Sequence, residues 1–359
     1  MRLAVGMAPA PVLPFAPGRA PRVPIWAAPM AGGPSSPELI AAVGAAGGLG
    51  LVPGGYLSAD AFAERIAAVE ATTTAPWGVN LFLPGPPARD PTAVAAHAEA
   101  LRPWAAARDV ELGEPRWEDD AVDAKVEVVL AHRPTAATFA FGCPAPDLVA
   151  RIREATGTVV LATVTTPDEA AEATGAGVDG LVVQGSEAGG HRGTFSDDPA
   201  LPGGGELVPL LDLLPRVRAA SPLPLVAAGG LTTGSDVRAA LDAGACAAQL
   251  GTAFLCTPEA GTSPTHRRAL LDRRYAGTTV TRGFTGRPAR GLANPLALAF
   301  PDAPSAYPEV HHLTRPLRAA AAAQGDPDAV HLWAGEGWAA VTEEPAGELV
   351  ARLARDAGA

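Results

Sequence analysis

Val159-Val160-Leu161-Ala162-Thr163, then Thr166-Pro167-Asp168-Glu169 running to Gly175, then Gly180-Leu181-Val182-Val183-Gln184, is the stretch that decides the fold. Its first and last segments are continuous apolar runs rather than strict alternations. That is the pattern of a parallel strand buried on both faces. The middle segment opens with an N-cap residue, a proline and two acids and closes on glycine, as a helix does. The same kind of apolar run recurs at Ile25–Ala28, Leu49–Val52, Trp77–Asn80, Thr138–Phe141, Leu225–Ala228 and Ala247–Gly251. Ser36-Pro37-Glu38 opens a helix that closes near Gly47-Gly48, and Ser235-Asp236 opens another that closes at Gly244. Eight strands alternating with helices predict an α/β chain folded as a (β/α)8 TIM barrel. A doubly wound sheet competes but normally needs fewer strands.

Two regions break the alternation. Residues 84–120 are rich in Pro, Ala, Trp and acid and end in Trp117-Glu118-Asp119-Asp120. Residues 256–320 carry arginines, Gly283-Phe284-Thr285-Gly286-Arg287-Pro288 and His311-His312. The expected organisation is a barrel from 1–83 and 121–255, completed by closing helices over 316–359. Residues 84–120 and 256–315 would then form a smaller, mostly helical domain over the C-terminal mouth. Residues 1–25, with Pro11, Pro14, Pro17, Pro21 and Pro24 and no apolar signal-peptide core, read as an extended lead-in.

Composition bounds the function classes. At 359 residues and 48% hydrophobic, the chain can bury a sizeable core, and no stretch is long and apolar enough to span a bilayer. A net charge of −11 without a basic tract argues against nucleic-acid binding. Cys143, Cys246 and Cys256 have neither zinc spacing nor disulfide density, which predicts a reduced, cytoplasmic protein. Lys125 is the only lysine among 27 basic Lys and Arg residues, and reads as coding bias.

In such barrels functional groups gather at the C-terminal strand ends. Those positions hold Pro29-Met30-Ala31-Gly32-Gly33, Asn80, Gly142, Gln184 through Gly193, Ala228-Gly229-Gly230 and Gln249-Leu250-Gly251-Thr252. The loop Gln184-Gly185-Ser186-Glu187-Ala188-Gly189-Gly190-His191-Arg192-Gly193 sets one imidazole among four glycines. Glycine backbone approaches a ligand closely, and histidine takes a proton near neutral pH. The same loop also fits a tight turn whose histidine caps a helix. Glycine turns after the seventh and eighth strands offer N–H donors to a phosphate, with Thr252 adding a hydroxyl, and equally permit tight turns alone. The amides of Asn80 and Gln184 suit the edge of a flavin or similar heterocycle, or hydrogen bonds within the mouth. Glu187 and His191 lack the second histidine of a zinc-protease motif, so no metal is expected.

The ordered set Pro29 to Gly33, Gly78-Val79-Asn80-Leu81-Phe82, Phe139 to Gly142, Gln184 to Gly193, Ala227 to Gly230 and Gln249 to Thr252 resembles the nitronate monooxygenase family, formerly called 2-nitropropane dioxygenase. Thr285-Gly286-Arg287-Pro288-Ala289-Arg290-Gly291 and Leu332-Trp333-Ala334-Gly335-Glu336-Gly337 resemble its class I members. The resemblance implies FMN held by Pro29, Met30, Ala31, Gly32, Asn80, Gln184, Gly189, Gly229, Gly230, Gln249, Leu250, Gly251 and Thr252, with His191 as the catalytic histidine. It implies oxidation of alkyl nitronates, propionate 3-nitronate among them and for some members neutral nitroalkanes, by O2. One electron would pass to FMN, giving a flavin semiquinone and a substrate radical, with a carbonyl compound and nitrite as products. Arg287 and Arg290 are further candidates to hold the anion, with surface or phosphate-facing roles as the alternative. Thr138 and Pro295 depart from the family pattern. The competing readings are an FMN-dependent NAD(P)H reductase of the quinone or enoyl-thioester type and a non-catalytic flavin-binding barrel. The chain is expected as a monomer or homodimer.

Overall fold

The computed structural model describes residues 11–359; the first ten residues of the expected lead-in lie outside the described residues. Eight strands, β1 (Ile25–Ala27), β2 (Leu49–Pro53), β3 (Trp77–Phe82), β4 (Ala136–Ala140), β5 (Val159–Val164), β6 (Gly180–Gln184), β7 (Leu225–Ala228) and β8 (Ala247–Leu250), form a closed parallel barrel. Trp26 in β1 lies opposite Leu49 of β2 on one side and Gln249 of β8 on the other, so the sheet has no free edge. This is the expected TIM barrel, with strand ends displaced by one or two residues from the sequence reading.

The continuous apolar runs follow from burial on both faces. Trp26, Leu49, Leu51, Leu161, Val182 and Val226 form an inner cluster that Leu13 and Phe15 of the lead-in join. Val52, Val79, Phe139, Val160, Leu181 and Val183 face outward into the cluster that holds the helices. Those helices are α1 (Pro37–Ala45), α2 (Ala59–Thr72), α3 (Pro91–Ala106), α4 (Val122–His132), α5 (Pro146–Thr156), α6 (Pro167–Gly175), α7 (Leu210–Ala220) and α8 (Gly234–Asp242), of which α3 lies in the excursion after β3. The Ser36 hydroxyl accepts from Leu39 N at the start of α1, and Thr166 accepts from Glu169 N at the start of α6. Helix α8 starts earlier than Ser235, because Thr233 and Asp236 form a reciprocal capping box.

After β8 the chain leaves the barrel through α9 (Pro264–Leu271), α10 (Pro295–Ala299) and α11 (Glu309–Ala323) and returns as α12 (Ala346–Ala357). A second apolar cluster unites Leu101 of α3 with Leu270, Phe284, Leu296, Leu317 and Leu332. The closing helices expected from residue 316 onward are therefore reduced to one. Leu317 and Ala321 of α11 belong to the second cluster, whereas Leu349, Val350 and Leu353 of α12 complete the barrel's own. The physical reason is that α11 turns its apolar side to α3, while α12 packs on α1 and α8. A three-stranded antiparallel sheet, Thr278–Thr281, Ala289–Leu292 and Gly190–His191, ties this region to the loop after β6. No helix among the described residues is long and apolar enough to cross a membrane.

Phe139 has no exposed surface and stands between β3, β5 and the helical layer. Phe139→Ala is expected to cost about 3–5 kcal/mol of stability, whereas Leu298→Ala at a 59% exposed site stays within about 0.5 kcal/mol. Urea unfolding of the two variants checks both values.

Candidate active site

Strand β6 ends at Gln184, and the chain then forms the short strand Gly190–His191 instead of a free loop. His191 lies opposite Ala289, and Gly190 opposite Arg290. The segment is gripped from several sides. Gln184 Nε2 donates to His191 O at 3.0 Å, and its Oε1 accepts from Gly193 N at 2.8 Å. Arg192 N donates to Pro288 O at 2.9 Å. Arg287 donates from Nε to Arg192 O at 3.2 Å and from a terminal nitrogen to Thr194 O. The buried Glu169 carboxylate accepts from the Thr194 hydroxyl at 2.8 Å and from Phe195 N at 2.6 Å. The Gln184 amide thus orients the histidine segment directly, and its sequence alone could not distinguish that from a flavin-facing role.

The half-buried His191 ring sits among Phe141, Tyr307 and Trp333, with ring centroids 5.8, 5.9 and 5.4 Å away. Its Nε2 is 2.9 Å from Thr285 Oγ1. The Thr285 hydroxyl donates to Arg287 O at 3.3 Å. That network assigns the hydrogen to Nε2 and leaves the Nδ1 lone pair free to take a proton. Burial, then the charges of Arg287 and Arg318, push the imidazole down to about 3. The ring is neutral at pH 7.

The other expected residues ring the strand ends. Asn80 Nδ2 donates to Thr138 Oγ1 at 3.0 Å, and Thr138 in turn donates to Val79 O, so the threonine hydroxyl fixes the amide. Pro29, Met30, Ala31 and Gly32 form the turn after β1, where Met30 N donates to Ser35 Oγ at 2.9 Å and Gly32 has φ +88°. Ala31 packs near Phe82 and Phe141. Leu250 is buried in the barrel cluster, and its carbonyl accepts from Ala28 N at 2.8 Å. Gly251 lies against Ala28 and Met30. Gly229 and Gly230 are left-handed, at φ +114° and +71°. Gln249 Oε1 is buried without a hydrogen-bond partner. A buried acceptor without a donor is costly, and an N–H of a flavin bound at this strand end would satisfy it, so the residues present are compatible with a flavin cofactor.

The segment Leu332 to Gly337 covers these turns. Gly335 N donates to Thr252 Oγ1 at 2.9 Å, and Glu336 N to Glu187 O at 3.0 Å. A Cβ on Gly189 would stand 2.5 Å from Gly335 N, so the crossing requires glycine. Thr252 therefore binds the covering segment, keeping its O–H as a donor. Pro295 opens α10, which Asn294 caps by accepting from Ala297 N.

Two arginines give the mouth its charge. Arg287 lies 4.0 Å above the Phe141 ring, and Phe141 itself has φ +78°. Arg318 reaches His331 Nδ1 at 3.3 Å and His311 Nδ1 at 3.2 Å. Both guanidiniums are buried, and burial lowers each to about 10. Among the described residues neither has a carboxylate in ion-pair contact, unlike Arg282 with Asp197 or Arg290 with Glu336. Arg290 is thus an anchor, also donating to Ser186 O at 2.9 Å. Sequence reasoning missed Arg318 and Tyr307, and took in Trp333 only as part of a family-like motif. The available signal was the seven-residue spacing of His311 and Arg318, which puts both on one helix face. Clefts of about 220 and 330 Å³ open at the opposite end of the barrel, beside Arg19 and Pro76, away from this chemistry.

The nitronate monooxygenase family model matches residues 18–356. A nitronate monooxygenase of Pseudomonas aeruginosa is 39% identical over 342 residues, covering 93% of this chain and 95% of that protein. The solved nitroalkane oxidase of Streptomyces ansochromogenes superposes with a TM-score of 0.90 at 47% identity, over 94% of this chain and 96% of that one. FabK from Thermotoga maritima, at 24% identity and a TM-score of 0.68 over 94% of this chain and 93% of its own, shares the fold. With the family model matched over residues 18–356 and a nitronate monooxygenase 39% identical across 93% of the chain, this chain belongs to the nitronate monooxygenase family.

Proposed function

We propose that the chain, an oxidoreductase that oxidises nitronates, does so with FMN and O2, releasing a carbonyl compound and nitrite. The observation that carries this reading is the pair of buried, carboxylate-free guanidiniums of Arg287 and Arg318 beside a neutral His191. Buried charge without a counter-charge is unfavourable. An alkyl nitronate brings one negative charge spread over two oxygens and offsets it. Asn80, Gln249 and the turns at Gly229-Gly230 and Gly251-Thr252 would hold FMN, and bound FMN supplies the electron acceptor. For a neutral nitroalkane, His191 Nδ1 takes the α-proton, with Thr285 holding the ring through Nε2. For a nitronate no proton is removed, and the arginines do most of the work by fixing the anion. In the same reading, residues 84–120 and 256–345 form one cover that keeps water from the mouth.

Anaerobic titration with propionate 3-nitronate is expected to bleach the flavin, and the heat-released chromophore to be FMN. Bleaching by NADH or NADPH, with none by the nitronate, would instead favour the reductase reading. His191→Asn is expected to lower turnover of neutral nitroalkanes by about 10²–10⁴ and that of nitronates less, with FMN retained. Equal losses on both substrates in a flavin-replete variant would contradict the base assignment.

The histidines also predict acid sensitivity. His191 and His266 are held down to about 3 and about 4, mainly by burial. The unfolded chain takes up these protons below its ordinary value of about 6.5, while the folded chain does not. Stability is therefore full above that pH and falls as pH drops toward 3, by up to about 1.4 kcal/mol per unit for each such ring. Urea midpoints at pH 7 and 5 are expected to differ accordingly, and by less in His266→Gln.

A further inference from the structure

Lys125, the chain's only lysine, has no exposed surface. Its Nζ lies 2.7 Å from Asp120 Oδ2, and both side chains are buried. Asp120 Oδ1 accepts from Tyr56 N at 3.0 Å. The three residues around this contact, Tyr56, Asp120 and Ala121, all have positive φ, at +67°, +56° and +51°. Non-glycine residues adopt that region at a cost, and tend to do so where the surroundings enforce it. A buried ion pair is likewise rarely a net gain in stability over apolar residues of the same volume. Strain and buried charge thus converge on one backbone N–H, that of Tyr56.

What they hold in place is the wall of the mouth. The Tyr56 ring stacks on His311 of α11 at 4.1 Å, with planes 2° apart. It meets Phe82 edge-on at 5.6 Å and Tyr307 at 6.4 Å. Phe82 contacts Phe141, and both Phe141 and Tyr307 flank His191. Tyr56 is therefore the point where the β2 end of the barrel meets the cover. Its phenol is buried and faces that of Tyr307, and burial pushes it up to about 12, so the ring is held neutral inside this aromatic cluster.

We propose that the Asp120–Lys125 ion pair is a positioning device for the substrate cavity, holding Tyr56 in its left-handed conformation and, through it, the His311 and Tyr307 wall beside His191. Asp120 and Lys125 touch no substrate; they act through Tyr56. The proposal rests on the reading of this mouth as the nitronate site.

The test is a double-mutant cycle on the FMN-loaded full chain. Asp120→Leu with Lys125→Met removes the ion pair and the acceptor while keeping an apolar fill. Propionate, a carboxylate with the shape of a nitronate head, serves as an unreactive probe whose binding is read from the flavin spectrum. The paired variant is expected to keep its FMN and to bind propionate about tenfold more weakly. KM for propionate 3-nitronate should rise by the same factor with kcat nearly unchanged. Tyr56→Ala should give a similar loss, and adding it to the paired variant should give little more. Asp120→Asn, which keeps the acceptor, should lose less, and it replaces the paired variant in the cycle should that variant not fold. Wild-type propionate affinity and KM in the paired variant, or losses that multiply independently with Tyr56→Ala, would overturn the proposal. Propionate binding that weakens as expected in a protein that does not turn over nitronates would sink the functional reading and leave the positioning role standing.

Discussion

The hydrogen-bonded seam between β1 and β8, where Trp26 faces Gln249, is the constraint on which the rest of the molecule depends. Backbone N–H and C=O groups buried in an apolar interior need partners. A parallel sheet covered by helices satisfies its outermost strands by joining them. Closure then brings all eight strand C-termini to one rim. Asn80, Gln184, Gln249 and the glycine turns come together there although they are far apart in sequence. Closure also permits a long detour after β8, because the position of the eighth helix can be filled from anywhere downstream. Helix α12 fills it, and the intervening chain is left over the mouth.

The chain outside the barrel also shapes the mouth. It contributes both unpaired guanidiniums, the Thr285 hydroxyl that orients His191, and the Gly335 N–H that ties down Thr252. In this low-dielectric space, charges act strongly on one another. Burial chiefly, and then the nearby charges of Arg287 and Arg318, keep the His191 imidazole neutral. The same two charges make the cavity suitable for an anion. In the proposed reading, base and anion site are thus two consequences of one arrangement, and neither would exist on the barrel alone.

Support for His191 extends outward in layers. Gln184 and Glu169 come from the barrel, while Arg287 and the Ala289–Leu292 strand come from the cover. On the far side of the mouth, the Asp120–Lys125 pair supports the aromatic wall. Gln184 and Arg287 stand out in the sequence for other reasons, but Glu169 and Lys125 do not. Glu169 reads there as an acid in a helix's first turn, and Lys125 as an accident of coding. Each acquires its role only through a partner that lies elsewhere along the chain.

By itself the sequence determined the barrel, because strand burial, helix caps and glycine stops are local signals written within a few residues. It also determined which strand ends carry the cofactor-type residues and the single histidine among glycines, because in a parallel barrel the C-terminal end of a strand is a position that can be counted. Only the tertiary structure decided that Gln184 turns its amide onto the histidine segment, that Arg287 is buried while Arg290 forms an ion pair, and that Arg318, Tyr307 and Trp333 belong to the site. It likewise decided that α11 serves the cover and α12 the barrel. These outcomes depend on contacts between segments tens to hundreds of residues apart. Burial and electrostatic environment are set by such contacts, and no local pattern encodes them.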